Sequence, residues 1–422
     1  MNLRDFRSAG HWPTLLCAFL YFDISFMVWV MLGALANSIA PDLGLTDAQK
    51  GLMVAVPLLG GAILRLVLGP LADHIGGRRT GMIGMVATIV PLCLGWLWAD
   101  SYAEVLCVGL MLGVAGASFA VALPLASRWY PPKYQGLAMG IAGAGNSGTA
   151  LATFFAPRLA AHWDWHVVFG LALLPVAVTF VQFALFAKDS PHRPAPKSLR
   201  DYAGVVRMRD TWWFCLFYSV TFGGFVGLAS FLSILFRDLY GLTPIAAGSF
   251  TTLCVVSGSM LRPVGGYLAD RFGGIRMLTL LYVGVGATML GMAILPPLAI
   301  ATLLLFVCMG LLGMGNGAVF QLVPQRFPSQ IGVITGIVGA AGGVGGFLLP
   351  TLLGGVKQAS GSFASGFLLF AGVAIVSAVV LAKVSRAWEG VFIGRGGLAT
   401  IPEAERASSL APESAALQAA EA

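Results

Sequence analysis

Residues 60–79 read GGAILRLVLGPLADHIGGRR and residues 257–276 read SGSMLRPVGGYLADRFGGIR, one unit written twice at an offset of 197 positions. At that offset Gly61 maps onto Gly258, Arg65 onto Arg262, Gly69 onto Gly266, Leu71-Ala72-Asp73 onto Leu268-Ala269-Asp270, and Gly76-Gly77 onto Gly273-Gly274. Each copy carries an arginine inside an apolar run long enough to cross a bilayer. A guanidinium keeps its proton at any ordinary pH, and a charge at that depth costs roughly 2.5 to 3.5 kcal/mol on insertion scales. A cost accepted twice at one repeat position points to a functional pair; the alternative is a structural role, each arginine pairing with helix carbonyls or snorkelling.

The rest of the chain agrees with a membrane setting. Of its 422 residues 58% are hydrophobic and only 10% charged, far from the roughly 25% charged residues of a soluble protein. Apolar segments of about 20 residues recur from Leu15 to Leu381, and only a helix satisfies its own backbone across lipid. The pattern predicts twelve helices, over 14–39, 48–69, 80–99, 103–126, 136–157, 166–187, 211–236, 244–265, 277–296, 299–323, 332–355 and 364–384. The formal charge of +7 is a matter of orientation, not of nucleic-acid binding. Arg4, Arg7, Arg78, Arg79, Arg128, Lys133, the run from Lys188 to Arg209, Arg271, Arg276 and Arg326 share one side, whereas Lys50, Arg158, Arg237 and Lys357 are alone on the other. The positive-inside rule then puts both termini in the cytoplasm. The first helix is too long for a signal peptide and is read as uncleaved. Six scattered cysteines without CxxC spacing indicate neither disulfides nor a zinc site, and no cofactor is called for.

The proline-bearing basic stretch 188–210 divides the spans six and six. The expected organisation is a six-helix bundle over 1–187, a cytoplasmic linker over 188–210, a second bundle over 211–385 and a disordered cytoplasmic tail over 386–422. Two six-helix halves in parallel repeat, joined by a basic loop, resemble the major facilitator superfamily over about 370 residues. The loop signature of that superfamily after the second helix matches Gly69 to Arg79, and its second copy matches Gly266 to Arg276. The resemblance implies an all-α membrane fold of two pseudo-symmetric bundles. Asp73 and Asp270 either pair with neighbouring helix ends and basic residues when a cytoplasmic gate is shut, or fix the loop alone.

Arg65 and Arg262 each lie eight residues before their aspartate, about 12 Å into the bilayer. At that depth the two should face one cavity between the halves. Asp23, in LYFDISFMVWVMLG, is the one carboxylate found well inside a span, so the cavity keeps net positive charge and selects an anion. Two planar guanidinium forks suit a small flat oxyanion. The fifth helix carries GAGNSG, with Gly143, Gly145, Asn146 and Gly148, and the eleventh carries GAAGGVGGFLLP, with Gly342, Gly343, Gly345 and Gly346. Glycine at that density allows close helix approach, and Asn146 adds both donors and an acceptor.

These elements resemble the nitrate/nitrite porter family, whose signatures are glycine-rich fifth and eleventh helices and whose site pairs arginines on the second and eighth. The resemblance implies Arg65, Arg262 and Asn146 as substrate-binding residues. By motif it adds Phe119 of GASF, and Tyr218 and Phe222 of YSVTF, with the two phenyl rings sandwiching a planar anion while Tyr218 donates a hydrogen bond. The implied protein is a monomeric transporter of nitrate and nitrite in a bacterial inner membrane.

Inward movement of a monoanion against an inside-negative potential costs about 2.3 kcal/mol per 100 mV. Electroneutral exchange for internal nitrite needs no titratable group; symport that runs down the potential needs at least two protons, or another cation, per nitrate. Asp23 is the acid available for proton coupling, and its alternative role is pairing with an arginine or capping an interrupted helix. The wording FDISFMVWVMLG and LTDAQKGLM is similar to proton-linked porters and favours symport. An organic-phosphate or carboxylate exchanger would place its arginines on the first and seventh helices, where this chain has Tyr21 and Tyr218. A transporter of another small anion and an anion-sensing receptor are the other readings. A membrane enzyme is the least favoured reading, since no Ser/His or metal-ligand cluster falls within the spans and His162 and His166 flank them.

Overall fold

The computed structural model describes residues 3–191, 199–328 and 330–398. Among the described residues the long helices make twelve passes. We number them α1 (Trp12–Asp42), α2 (Asp47–Ile75), α3 (Gly77–Leu97), α4 (Tyr102–Ser127), α5 (residues 132–162), α6 (Trp165–Phe186), α7 (Arg209–Tyr240), α8 (Pro244–Phe272), α9 (Gly274–Ala293), α10 (Leu298–Arg326), α11 (Ile331–Ser360) and α12 (Ala364–Trp388). Eleven of them are long and apolar enough to span by length and composition, α1 with a break at Val30 and α4 with one at Ala117-Ser118. The other is α5, split into Pro132–Gly143, a 3-10 turn Ala144–Ser147 and Gly148–His162.

Local sequence explains where helices start and stop, and it extends the repeat. Gly44 and Gly241, 197 residues apart, end α1 and α7 with φ of 60° and 64°, a conformation that glycine adopts without steric cost. Two residues on, Thr46 and Thr243 cap α2 and α8 by accepting from the backbone amides of Gln49 and Ala246. At the other end of those helices Gly76 and Gly273 turn with φ of 95° and 96° into α3 and α9. Both copies of the unit are therefore bounded by the same turn chemistry on either side of the membrane.

Packing sorts the helices into inner and outer sets. The most apolar window of α7 is 94% buried, against 33% for α6 and 39% for α12, which leave Leu174, Leu185, Val376 and other apolar side chains facing outward. Such exposure suits a helix whose outer face meets lipid. Among the described residues, the side-chain hydrogen bonds that cross between the halves lie at the outer end or at mid-depth. At the outer end Asn37 Nδ2 donates to the Ser233 carbonyl at 2.7 Å, Gln358 Oε1 accepts from the Ala48 amide at 3.0 Å, Lys50 pairs with Asp238 at 3.0 Å, and Arg158 Nη2 donates to Ser249 Oγ at 2.8 Å. The outer mouth is shut.

On the cytoplasmic face, the expected linker over 188–210 holds a short helix after the prolines, Leu199–Arg207, and α7 already begins at Arg209, while 192–198 fall outside the described residues. The last helix reaches Trp388 instead of ending near 384, because Trp388 stacks on Phe214 at 5.1 Å and donates Nε1 to Asp210. Residues 389–398 then fold back as a strap. Glu389 Oε1 accepts from the Gly396 amide, and Gln321 Nε2 donates to the Gly397 carbonyl beside the Gly273-Gly274 turn. The expected tail over 386–422 thus has a folded beginning, and residues 399–422 lie outside the described residues.

Candidate functional site

Arg65 on α2 and Arg262 on α8 are buried at mid-depth, 0% and 7% exposed. They share one aromatic ring: the Phe119 centroid is 5.2 Å from Arg65 Cζ and 5.6 Å from Arg262 Cζ. Trp29 and Phe222 also lie against Arg65, at 5.1 and 4.9 Å. Two backbone carbonyls hold the same guanidinium, Gly116 O accepting from Nε at 3.1 Å and Gly339 O from Nη1 at 2.6 Å. Ring faces and carbonyls offset part of the cost of burying a cation, with each desolvated ring contact contributing about 2 kcal/mol. Removing one ion from water costs several kcal/mol, so neutral partners leave the cavity short of negative charge.

The polar atoms left without partners define what it lacks. Arg65 Nη2, Arg262 Nη1, the Tyr218 hydroxyl, and both Nδ2 and Oδ1 of Asn146 are buried with no hydrogen bond. Tyr218 lies next to both guanidinium groups without a well-directed bond to either. Buried polar groups in folded proteins are satisfied in the great majority of cases, so donors left open on both guanidinium groups and on the Tyr218 hydroxyl beside them suit an acceptor-rich anion.

The glycines explain how the helices come so close. Gly143 of α5 packs against the Arg262 side chain and Gly339 of α11 against Arg65 and Phe119. A Cβ on Gly342 would fall 2.6 Å from Tyr218 and 2.9 Å from Phe222, so only glycine lets α11 pass those rings. Gly343 meets Leu58 and Ala62 of α2, Gly346 meets Val226 and Leu58, and Gly345 meets the Ser219 carbonyl. In α5, Gly145 sits on the Phe22 side chain and the Asp23 amide of α1, and Gly148 on the Asp23 carbonyl.

The two phenyl rings stand 6.3 Å apart at 34°. A flat ion between parallel rings needs about 7 Å, twice a van der Waals contact, so in this conformation the pair is closed down. Phe222 stacks instead on Tyr218, at 5.1 Å and 4°, and on Trp29, at 6.3 Å and 17°.

Asp23 lies 7% exposed on α1 beside the 3-10 turn of α5. Ser147 Oγ donates to its Oδ1 at 2.6 Å and the Gly148 amide also faces it. Its carboxylate caps the second helical piece of α5 and makes no ion pair with either arginine among the described residues. Tyr21 points away from the centre, toward Gly81, Gly84 and Phe183.

The gate aspartates differ. Asp73 pairs with Arg128 at 2.5 Å, close to Gly332 at the start of α11. It also lies near Tyr202 of the 199–207 helix, whose phenol is pushed up to about 12 by burial and then by the Asp73 charge. Asp270 has Gln321 beside it and no ion pair among the described residues.

Two rings of the site were missed in the sequence, Trp29 and Phe320: Phe320 lies 5.0 Å edge-on from Tyr218 and 6.0 Å from Phe119. Apolar spacing does not tell a cavity-facing ring from a lipid-facing one. Asn316, fully buried on α10 with its amide unpartnered, was passed over too. The repeat offset was a usable signal there, since Asn316 stands 197 positions after Phe119.

Comparison with known proteins follows the same line. The family model described as Major Facilitator Superfamily matches residues 15–350. In fold the chain is similar to the human organic anion transporter MFSD10, with a TM-score of 0.71 at 15% identity over 87% of this chain and 99% of that one. It is also similar to the xylose transporter XylE from E. coli, with a TM-score of 0.72 at 14% identity over 89% and 97%. In sequence it is 34% identical over 360 residues to the "Nitrite extrusion protein" of Bacillus subtilis, 84% of this chain and 90% of that one. It is 34% identical over 370 residues to the "Probable nitrate/nitrite transporter NarK2" of Mycobacterium tuberculosis, covering 86% and 94%. The "Probable nitrate transporter NarT" of Staphylococcus carnosus is 33% identical over 86% and 93%. With its repeat, its paired arginines and these relatives, the chain belongs to the Major Facilitator Superfamily and, within it, to the nitrate/nitrite transporter family.

Proposed function

We propose that this protein is a secondary transporter that carries nitrate, together with nitrite, across the cytoplasmic membrane by alternating access, with nitrate uptake linked to protons. The observation that carries the reading is the enclosure of two guanidinium groups around one phenyl ring, with unpaired N–H groups on both. A trigonal oxyanion supplies acceptors to both halves at once and cancels one charge. Arg65 already bonds across the interface to Gly339 on α11, so rocking of one bundle over the other must exchange that bond. An anion that takes over the freed donor lowers the barrier to the exchange.

Asp23 fits the coupling role through charge. With Asp23 ionised, the empty site carries +1 from its two arginines and one carboxylate. With Asp23 protonated and one nitrate bound it again carries +1. A cycle that alternates between those two states moves no net charge, so the membrane potential does not oppose it. A pH difference then drives it with about 1.4 kcal/mol per unit. Protonation would loosen the Ser147 and Gly148 bonds beside Asn146, which links the proton to the anion.

Counterflow of labelled nitrate in proteoliposomes tests the substrate. Nitrite should compete strongly and phosphate should not, and flux driven by phosphate with none for nitrate would overturn the reading. Uptake under an imposed pH gradient without internal nitrite tests the coupling. Nitrate accumulation supports symport, whereas activity that needs internal nitrite makes the protein an exchanger.

A further inference from the structure

The amide of Asn316 is fully buried in the middle of α10, and neither its Nδ2 nor its Oδ1 has a hydrogen-bond partner. An amide buried without partners costs free energy comparable to a lost hydrogen bond or more, which argues for a job outside the resting fold.

Its direction follows from its neighbours. A Cβ on Gly315 would come within 2.6 Å of Thr221 on α7, and Gly317 sits against the Arg262 carbonyl on α8. Successive helical residues are about 100° apart, so Asn316 points between α7 and α8. Phe320, one turn on and on the same face, touches Tyr218 and Phe119. The repeat places it too. Gly113, Gly116 and Phe119 of α4 map at 197 onto Gly310, Gly313 and Asn316 of α10, and Gly113 and Gly310 pack against the equivalent positions 60 and 257. Phe119 lies over Arg65, and its counterpart therefore stands by Arg262.

We propose that Asn316 is a further substrate-contacting residue, the second half's equivalent of Phe119, whose amide donates to an oxygen of the bound oxyanion opposite Asn146. This rests on the oxyanion reading of the site. It means that the two halves, alike in their arginines, grip the ligand by different chemistry at the next position: an apolar face from α4 and a directed hydrogen bond from α10.

The test is Asn316→Leu, which keeps the volume and removes the polar atoms, together with Asn316→Asp. An unpartnered amide replaced by an apolar group of similar shape leaves the ligand-free protein equally or more stable. We expect purified N316L to melt no lower than wild type without nitrate, while the KM for nitrate counterflow rises about tenfold or more, as for loss of a hydrogen bond to a charged group. N316D places a carboxylate before two guanidinium groups, and we expect higher melting with nitrate counterflow abolished. An N316L protein that melts several degrees lower with unchanged KM would make the amide structural, and N316D with wild-type flux would show that it does not face the arginines. Wild-type protein that carries neither anion would sink the functional reading instead. The melting shifts of the two variants would still report whether the amide faces the two cations.

Discussion

The two copies of the repeated unit have kept the same arginine and given it different surroundings. Arg65 is pinned by two carbonyls and roofed by three rings, and one of those carbonyls belongs to the other bundle. Arg262 has one of those rings and neither carbonyl, and its Nη1 is open. The same divergence recurs at the gate, where Asp73 has Arg128 and Asp270 has Gln321. Position 128 maps at 197 onto Gln325, so at that position the second half has an amide where the first has a cation. The first half thus holds its arginine by two carbonyls, one of them across the interface, and the second half leaves its own less held, a division between a latch and a responder that mutation can test.

The sharpest way to break this comparison is at the arginines. Arg65→Lys and Arg262→Lys both keep charge and lose the fork, and each should reduce nitrate counterflow a hundredfold or more. Only R65K should also lower the melting temperature, since it alone gives up bonds to Gly116 and Gly339. Equal melting of the two variants would refute the division between latch and responder. Next in size is Asp23→Asn, which mimics the protonated acid. Uptake driven by a pH gradient should vanish while nitrate/nitrite exchange persists; loss of both would make Asp23 a structural cap only.

A smaller effect is expected at Gly342→Ala. Its new methyl meets Tyr218 and Phe222, and overpacking of this kind costs about 1 to 3 kcal/mol, to be read as several degrees of melting and a several-fold loss of flux. Smallest is the gate pair. Asp73→Asn should slow transport several-fold by unmaking a half-buried ion pair, while Asp270→Asn should stay within about twofold. Equal effects in a flux assay would mean that the second loop has a partner of equal weight.

What the sequence made legible is tied to repetition. Arg65, Arg262, Asp73 and Asp270 announced themselves because charge in an apolar run is expensive and because each occurred twice. Asn146 and the glycines of α5 and α11 were found by their density; of those glycines Gly143 packs against Arg262, Gly342 against Tyr218 and Phe222, and the others against neighbouring helices. The interruption of α5 was not foreseen, since glycine lowers helix propensity without saying where a turn tightens to 3-10 geometry. Asp23 was recognised as an acid out of place, yet its partner Ser147 lies 124 residues away and only packing brings the two together. Trp29 and Phe320 were lost among 10 tryptophans and 27 phenylalanines that periodicity cannot rank. Asn316 was within reach by the same offset that found the arginines, but it pairs with a residue of different chemistry, and likeness was the criterion.

The strap at residues 389–398 has a practical consequence. On the first half the start of α3 is met by Asp189, which accepts from the Arg78 amide at 3.0 Å just after α6. On the second half the start of α9 is met by Gly394 to Leu398, just after α12. Each bundle is therefore sealed by the segment that leaves it, and the final turn belongs to the folded body. Anyone shortening this chain for crystallisation, or joining a reporter to it, should leave residues 389–398 in place; a junction at 388 would strip the α9 entrance of its cover and give a less stable carrier for reasons unrelated to its cargo.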